Sequence, residues 1–142
     1  MENFTVACAE SCTGGLLMSR LTDFAGASAY VKGGVVAYNN EIKNKILHVK
    51  EETLENFGAV SSQTALEMAT NVREIFSSTI GLSTTGVAGP DKSEGKPVGL
   101  VYVAIVGENF SEVKECHFKG TRSEIKSQAA DAAFELLMKY TI

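Results

Sequence analysis

Ala9-Glu10-Ser11-Cys12-Thr13-Gly14-Gly15 is the stretch on which the reading of this chain turns. An apolar run, Phe4-Thr5-Val6-Ala7-Cys8, precedes it, with the β-branched and aromatic content of a buried strand. Leu16-Leu17-Met18-Ser19-Arg20-Leu21 follows it and suits a helix. The turn between them carries hydroxyls, a thiol and glycines. A strand-to-helix turn of this kind turns backbone N–H groups toward a helix start, where negative charge is favoured. It also sets small nucleophilic side chains at the end of a strand, where open α/β sheets bind ligands. The same residues suit a simpler role, a hydroxyl N-cap followed by flexible glycines.

Outward from this turn, strands and helices alternate. Thr22–Tyr30 is rich in small residues and has turn character. Val31–Tyr38 reads as a second strand, with Gly33 and Gly34 marking a bulge or a close backbone approach. Asn39-Asn40 caps a short helix whose apolar positions are Ile42, Ile46 and Leu47. Lys43 falls on another face of its first turn, where it opposes the helix dipole. It is either a solvated surface lysine or one held there by an anion or a reacting group. Glu51–Phe57 predicts a further short helix ended by Gly58. Ser61 then caps a longer one over Ser62–Ser77, with Leu66, Ala69, Val72 and Phe76 at buried-face spacing.

Ile80–Thr84 predicts a third strand, and Thr84–Asp91 a second hydroxyl-and-glycine loop chemically similar to the first. Lys92–Lys96 reads as a polar, mobile tip. Val98–Val106 and Glu112–Phe118 predict a hairpin turning at Gly107–Asn109, the second strand an edge. Thr121-Arg122-Ser123-Glu124 matches a capping box opening a last helix that buries Ile125, Ala129, Ala132, Ala133, Leu136 and Leu137. Arg122 carries the wrong charge for a helix start unless a phosphate or carboxylate binds beside it. The pattern is α/β with a mixed sheet.

Composition bounds the function. The chain has 142 residues, 44% apolar and 21% charged, which fits one domain with a real core. A formal net charge of −4 disfavours general nucleic-acid binding. No apolar run approaches the roughly 18 residues of a membrane span. Cys8, Cys12 and Cys116 cannot all pair internally; reduced thiols in a cytoplasmic protein are the simplest expectation. His48 and His117 lie in separate segments, and the cysteine spacing does not suit structural zinc.

Several segments occur in order: ESCTGG (Glu10–Gly15), GGVVAYNNEIK (Gly33–Lys43), GAVS (Gly58–Ser61), TGVAGP (Thr85–Pro90), KPVGLVYVA (Lys96–Ala104) and G-x-R (Gly120–Arg122). Together they resemble the CinA C-terminal domain family, over almost the whole chain. The resemblance implies a three-layer α/β/α sandwich on a mixed, mostly parallel sheet of about five to six strands. It implies hydrolysis of the carboxamide of nicotinamide mononucleotide to nicotinic acid mononucleotide and ammonia. It further implies a homo-oligomer, no required metal or cofactor, and similarity to the stand-alone form of the domain; charge and hydropathy add the expectation of no nucleic-acid or membrane partner.

Carried over by motif position, Ser11 and Ser28 are the active-site hydroxyls, Lys43 the base and Tyr38 a residue lining the site. The attacking serine stays open between the two, with Ser11 favoured by its place on the strand-to-helix turn. A Ser-Lys pair is a variant of triad logic that suits a chain with no placed histidine. Thr85 is a polar contact to substrate, and Arg122 with the last helix start fits a nucleotide phosphate. Backbone N–H groups around Thr13, Gly14 and Gly15, or at Gly86, are candidates for the oxyanion hole. Cys12 neighbours the nucleophile without an assigned role. The rival expectation is a catalytically silent nucleotide-binding or regulatory domain of the same fold. The chain departs from the family pattern in starting almost on its first strand, in Asn39 after the tyrosine, in Thr121 before the arginine, and in a less glycine-rich Asp91–Gly95 loop.

Overall fold

The computed structural model describes residues 3–142. Five strands form one sheet: β1 (Val6–Glu10), β2 (Val31–Val36), β3 (Ile80–Gly86), β4 (Leu100–Val106) and β5 (Ser111–His117). Their order is β2-β1-β3-β4-β5. β1 pairs in parallel with β2 and β3, and β4 pairs antiparallel with β3 and β5. Only β4 therefore runs against the common direction. Helices α1 (Leu16–Leu21) and α5 (Arg122–Thr141) cover one face. Helices α2 (Asn40–Lys45), α3 (Glu51–Phe57) and α4 (Ser62–Ile75) cover the other. The expected three-layer sandwich on a mixed sheet is what the chain forms.

Side-chain alternation sorts the two cores. Val6, Cys8, Ile80, Leu82, Val101, Val103 and Ile105 meet Leu17, Leu21, Ala129, Ala133 and Leu136 beneath α1 and α5. Ala7 and Ala9 face the opposite way, toward Leu47, Val49, Met68 and Val72. β1, covered on both faces, is buried along its whole length. It extends to Glu10, two residues beyond the predicted Cys8, because Glu10 pairs with Val36 on one side and Thr84 on the other. β3 likewise continues to Gly86, while β4 begins at Leu100 rather than Val98.

α4 shows why a spacing argument misjudged one face. Its buried side is Thr64, Ala65, Met68, Ala69 and Val72, whereas Leu66 is exposed and Phe76 half-buried. The helix backbone lies almost on β3: a Cβ on Gly81 would stand 1.9 Å from the Ala69 carbonyl oxygen. The Ser83 hydroxyl donates to the Ala65 carbonyl at 2.6 Å. Such close approach needs small residues, so alanines take the inner face and Leu66 turns outward.

β1 lies between β2 and β3, so the chain leaving β1 covers one face of the sheet and the chain leaving β2 covers the other. The connections diverge beyond the carboxyl ends of β1 and β3, which opens a crevice there. Among the described residues, no helix is long and apolar enough to cross a membrane.

Gly81→Ala must push α4 off the sheet, and we expect a loss of about 2 kcal/mol. Urea unfolding of the variant measures it; an unchanged midpoint would show that α4 can shift without penalty.

Candidate active site

The β1–α1 turn is built around a carboxyl group. Glu10 is 1% exposed. Its Oε1 accepts from the Thr13 hydroxyl at 2.5 Å, Leu17 N at 2.9 Å and Gly15 N at 3.2 Å; its Oε2 accepts from Met18 N at 3.1 Å. The Thr13 hydroxyl spends its proton on Glu10, so Thr84, 2.7 Å away, is the donor to Thr13. Gly14 and Gly15 adopt φ of 58° and 106°, left-handed values that a Cβ would resist, and these fold the turn back over Glu10. Gly14 N donates to the Ser11 carbonyl. An internal carboxyl thus satisfies the start of α1, and Ser11 is fixed immediately after it by its own N–H to the Thr84 carbonyl at 3.0 Å.

Lys43 comes to this serine from α2. The Asn39 side chain accepts from Ile42 N at 2.9 Å and starts the helix. Ala37, Leu47 and Val49 are fully buried and hold the segment down. The inward side of α2 is therefore Lys43 with Leu47 four residues on, whereas Ile46, expected inside, is 47% exposed. Lys43 is 2% exposed and its Nζ lies 3.0 Å from Ser11 Oγ. Among the described residues no carboxylate reaches Nζ within ion-pair distance. Burial lowers the Lys43 pKa from its ordinary value of 10.5, against smaller opposing effects of Cys12 and Glu94.

A cavity of about 530 Å³ opens over this pair. Ser11, Cys12, Tyr38, Lys43, Thr85, Gly86, Glu94 and Arg122 are among the residues that line it. Arg122 opens α5 within the expected capping box, Thr121 and Glu124 each bonding the other's backbone N–H. Its guanidinium donates to the Gly89 carbonyl, and to the Tyr38 hydroxyl at 2.7 Å. The Thr85 hydroxyl donates to the Ala59 carbonyl at 2.7 Å, which leaves it able to accept but not to donate. Burial pushes the Cys12 thiol up to about 12, so it is no nucleophile at neutral pH. Among the described residues no cluster of metal-ligating side chains forms.

Other expected site residues are elsewhere. Ser28 sits in a 3₁₀ turn (Ala27–Ala29) before β2, at the sheet end opposite Ser11, and lines a separate cavity with Met18 and Lys32. Within one chain it does not join Ser11 and Lys43, because β2 runs its whole length between them. Thr13, Gly14 and Gly15 do not line the cavity either. Their polar groups serve the Glu10 cap and the turn itself, so the oxyanion reading fails for Gly14 and Gly15, whose N–H groups are taken.

Two site residues had no assigned role in the sequence. Glu10 lay within a quoted motif, and the acidic residue three before Thr13 was its signal. Glu94 lay in the supposed mobile tip, which is instead tied down: its carboxyl accepts from Ala59 N at 2.8 Å and Val60 N at 3.0 Å. Lys96 donates to the Phe57 and Val60 carbonyls.

A family model described as the CinA C-terminal domain matches residues 1–141. A protein of Acetivibrio thermocellus described as competence-damage inducible is 50% identical over 142 residues, covering 99% of this chain and 34% of that protein. A CinA-like protein of Syntrophomonas wolfei is 48% identical over 136 residues, 95% of this chain and 33% of that one. The chain thus spans about a third of the length of these curated relatives. Among solved structures, the competence/damage inducible protein CihA of Agrobacterium tumefaciens superposes with TM-score 0.93 at 41% identity, covering 96% of this chain and 85% of that one. A CinA superfamily protein of Escherichia coli superposes with TM-score 0.93 at 32% identity, covering 96% and 80%.

The buried amine sets a stability prediction. A lysine pKa lowered by folding means that the unfolded chain holds more protons between the folded pKa and 10.5, so stability rises with pH across that window. Lys43→Met removes the burden, and we expect it to be more stable than the parent at neutral pH by about 1–3 kcal/mol. The gap should narrow toward pH 10.5. Chemical denaturation across this range measures it, and a variant less stable at pH 7 would contradict the assignment.

Proposed function

Because the chain belongs to the CinA C-terminal domain family, we propose that it is an amidohydrolase converting nicotinamide mononucleotide to nicotinic acid mononucleotide and ammonia. The observation that carries this reading is the 3.0 Å contact between Ser11 Oγ and the buried Lys43 Nζ at the floor of the cavity. An amide is a weak electrophile, so its cleavage requires an activated nucleophile. A lysine whose pKa burial has lowered supplies the neutral amine that a general base needs.

In this mechanism Lys43 Nζ takes the Ser11 proton as Oγ bonds to the carboxamide carbon and the carbonyl π pair moves to oxygen. The tetrahedral adduct collapses, the C–N bond breaks, and the departing nitrogen takes the proton from Lys43 and leaves as ammonia. Water then attacks the serine ester. Lys43 accepts a water proton and returns it to Ser11 Oγ as the carboxylic acid is released and ionises. No step draws on a metal or cofactor.

The far wall suits the rest of the nucleotide. Arg122 stands at the first position of α5, where a phosphate would meet both a guanidinium and a helix start of full length. Its present hydrogen bonds to Tyr38 and Gly89 hold the guanidinium at the cavity edge. Tyr38 is 62% exposed, which favours a side chain kept for substrate over one serving the core.

Two measurements test the proposal. Purified protein should release ammonia from nicotinamide mononucleotide, and Ser11→Ala or Lys43→Met should reduce kcat by about a thousandfold. Thermal stabilisation by the nucleotide without ammonia release would instead favour the silent binding domain. Arg122→Ala should raise KM for the nucleotide about tenfold while leaving the unphosphorylated riboside little changed; equal losses for both would remove the phosphate role.

A further inference from the structure

Glu94 occupies an unfavourable backbone position for its type. Ser93 and Lys96 bridge a two-residue turn, with Lys96 N to Ser93 O at 2.8 Å, and its central residues Glu94 and Gly95 have φ of 55° and 72°. Paired positive φ values are met most cheaply by Asn or Gly. Glutamate at the first position therefore keeps a long acidic side chain where the backbone would favour Asn or Gly.

That side chain is 27% exposed and turned into the cavity beside Lys43. Ala59 N and Val60 N donate to its separate oxygens, and Lys96 Nζ lies 3.4 Å from Oε1. Burial pushes its pKa up, but these N–H groups and the Lys96 ammonium outweigh it and hold the carboxyl below its ordinary value. Glu94 is thus a fixed anion at neutral pH. When substrate arrives its partner is not Lys43, which must be neutral to accept the Ser11 proton, and a phosphate would be repelled. In the substrate of the proposed reaction the remaining charge is the positive ring nitrogen.

We propose that Glu94 is a specificity-determining residue that pairs its fixed carboxylate with the cationic ring of an N-substituted pyridinium carboxamide, and so discriminates against the neutral dihydropyridine form of the same nucleotide. The inference rests on the hydrolase reading and narrows it to one charge state of the ring. A carboxamide carbon held at Ser11 puts the attached ring in the cavity that Glu94 also lines, where a cation sharing the lining with Arg122 gains from a carboxylate fixed in place, unlike that of the exposed Asp91.

The test compares ammonia release from nicotinamide mononucleotide and from its reduced dihydro form. The unmodified protein should favour the cationic ring in kcat/KM by about tenfold or more. Glu94→Gln should lose about ten times more kcat/KM on the cationic form than on the reduced form. Equal losses on both would mean that Glu94 serves only the turn, and would overturn the proposal, as would no loss. Calorimetric binding of 1-methylnicotinamide and of nicotinamide to the unmodified protein needs no variant; the cation should bind about tenfold tighter, and equal affinity would overturn the proposal. If the unmodified protein releases no ammonia from either nucleotide, the hydrolase reading fails on its own, and the calorimetric pair still judges Glu94.

Discussion

The site depends on keeping a lysine amine out of water with a serine hydroxyl as its near partner. Burial of an unpaired ammonium is among the more costly arrangements a fold can hold, and a protein ordinarily relieves it with a carboxylate or by neutralising the group. Here the described carboxylates stay beyond ion-pair reach of Lys43 Nζ, and the relief is the lowered pKa itself. A counter-ion at contact distance would hold Lys43 protonated and so remove the base role proposed for it. The rest of the local structure follows from that constraint. α2 is short, is capped by Asn39, and is pinned by Ala37, Leu47 and Val49, so the lysine has no outward route.

The nearby acid that a passing reading would pair with this lysine is otherwise occupied. Glu10 directs both carboxyl oxygens into the first turn of α1. Had that turn been left open, its N–H groups would have attracted an anion next to Ser11, in competition with the phosphate contact proposed for Arg122. With Glu10 inside, the start of α1 is closed, whereas α5 opens at Arg122 on the cavity lining. The Glu10 network also makes the position of Ser11 a property of a buried cluster that includes Thr13 and Thr84, rather than of a mobile loop. An alanine at Glu10 would leave buried donors without acceptors, which is worth more than the loss of one hydrogen bond.

The sheet, the element order and the three helix caps at Asn39, Ser61 and Thr121 were legible because each has a local cause: alternation in strands, a short polar side chain before a helix, a glutamate three residues on. Faces of helices were less legible. Lys43, left open between surface and site, took the inner side of α2, while Ile46 and Leu66 turned outward, because the deciding contacts, with Ser11 for α2 and with β3 for α4, come from residues distant in sequence. Ser11, Lys43, Tyr38, Thr85 and Arg122 meet around one cavity as the motifs implied. Ser28 does not, since motif order carries no information about which end of the sheet a residue reaches. The tip at Lys92–Lys96 looked mobile from composition, yet its charges are spent on the backbone of residues 57–60, a pairing no local pattern announces.

These pairings decide the cavity's electrical layout. Cationic Arg122 at the start of α5 and the fixed carboxylate of Glu94 line one cavity, together with the lysine that the proposed mechanism requires uncharged. A ligand with separated charges, anionic at one end and cationic near the scissile group, meets favourable potential at both ends, while a uniformly anionic or uniformly cationic one is opposed at one of them. The same layout acts on the base. Glu94, like Cys12, favours the protonated lysine. A cation seated between them would cancel that influence as it arrived, so that arrival of the proposed substrate and release of the lysine proton draw on the same charge.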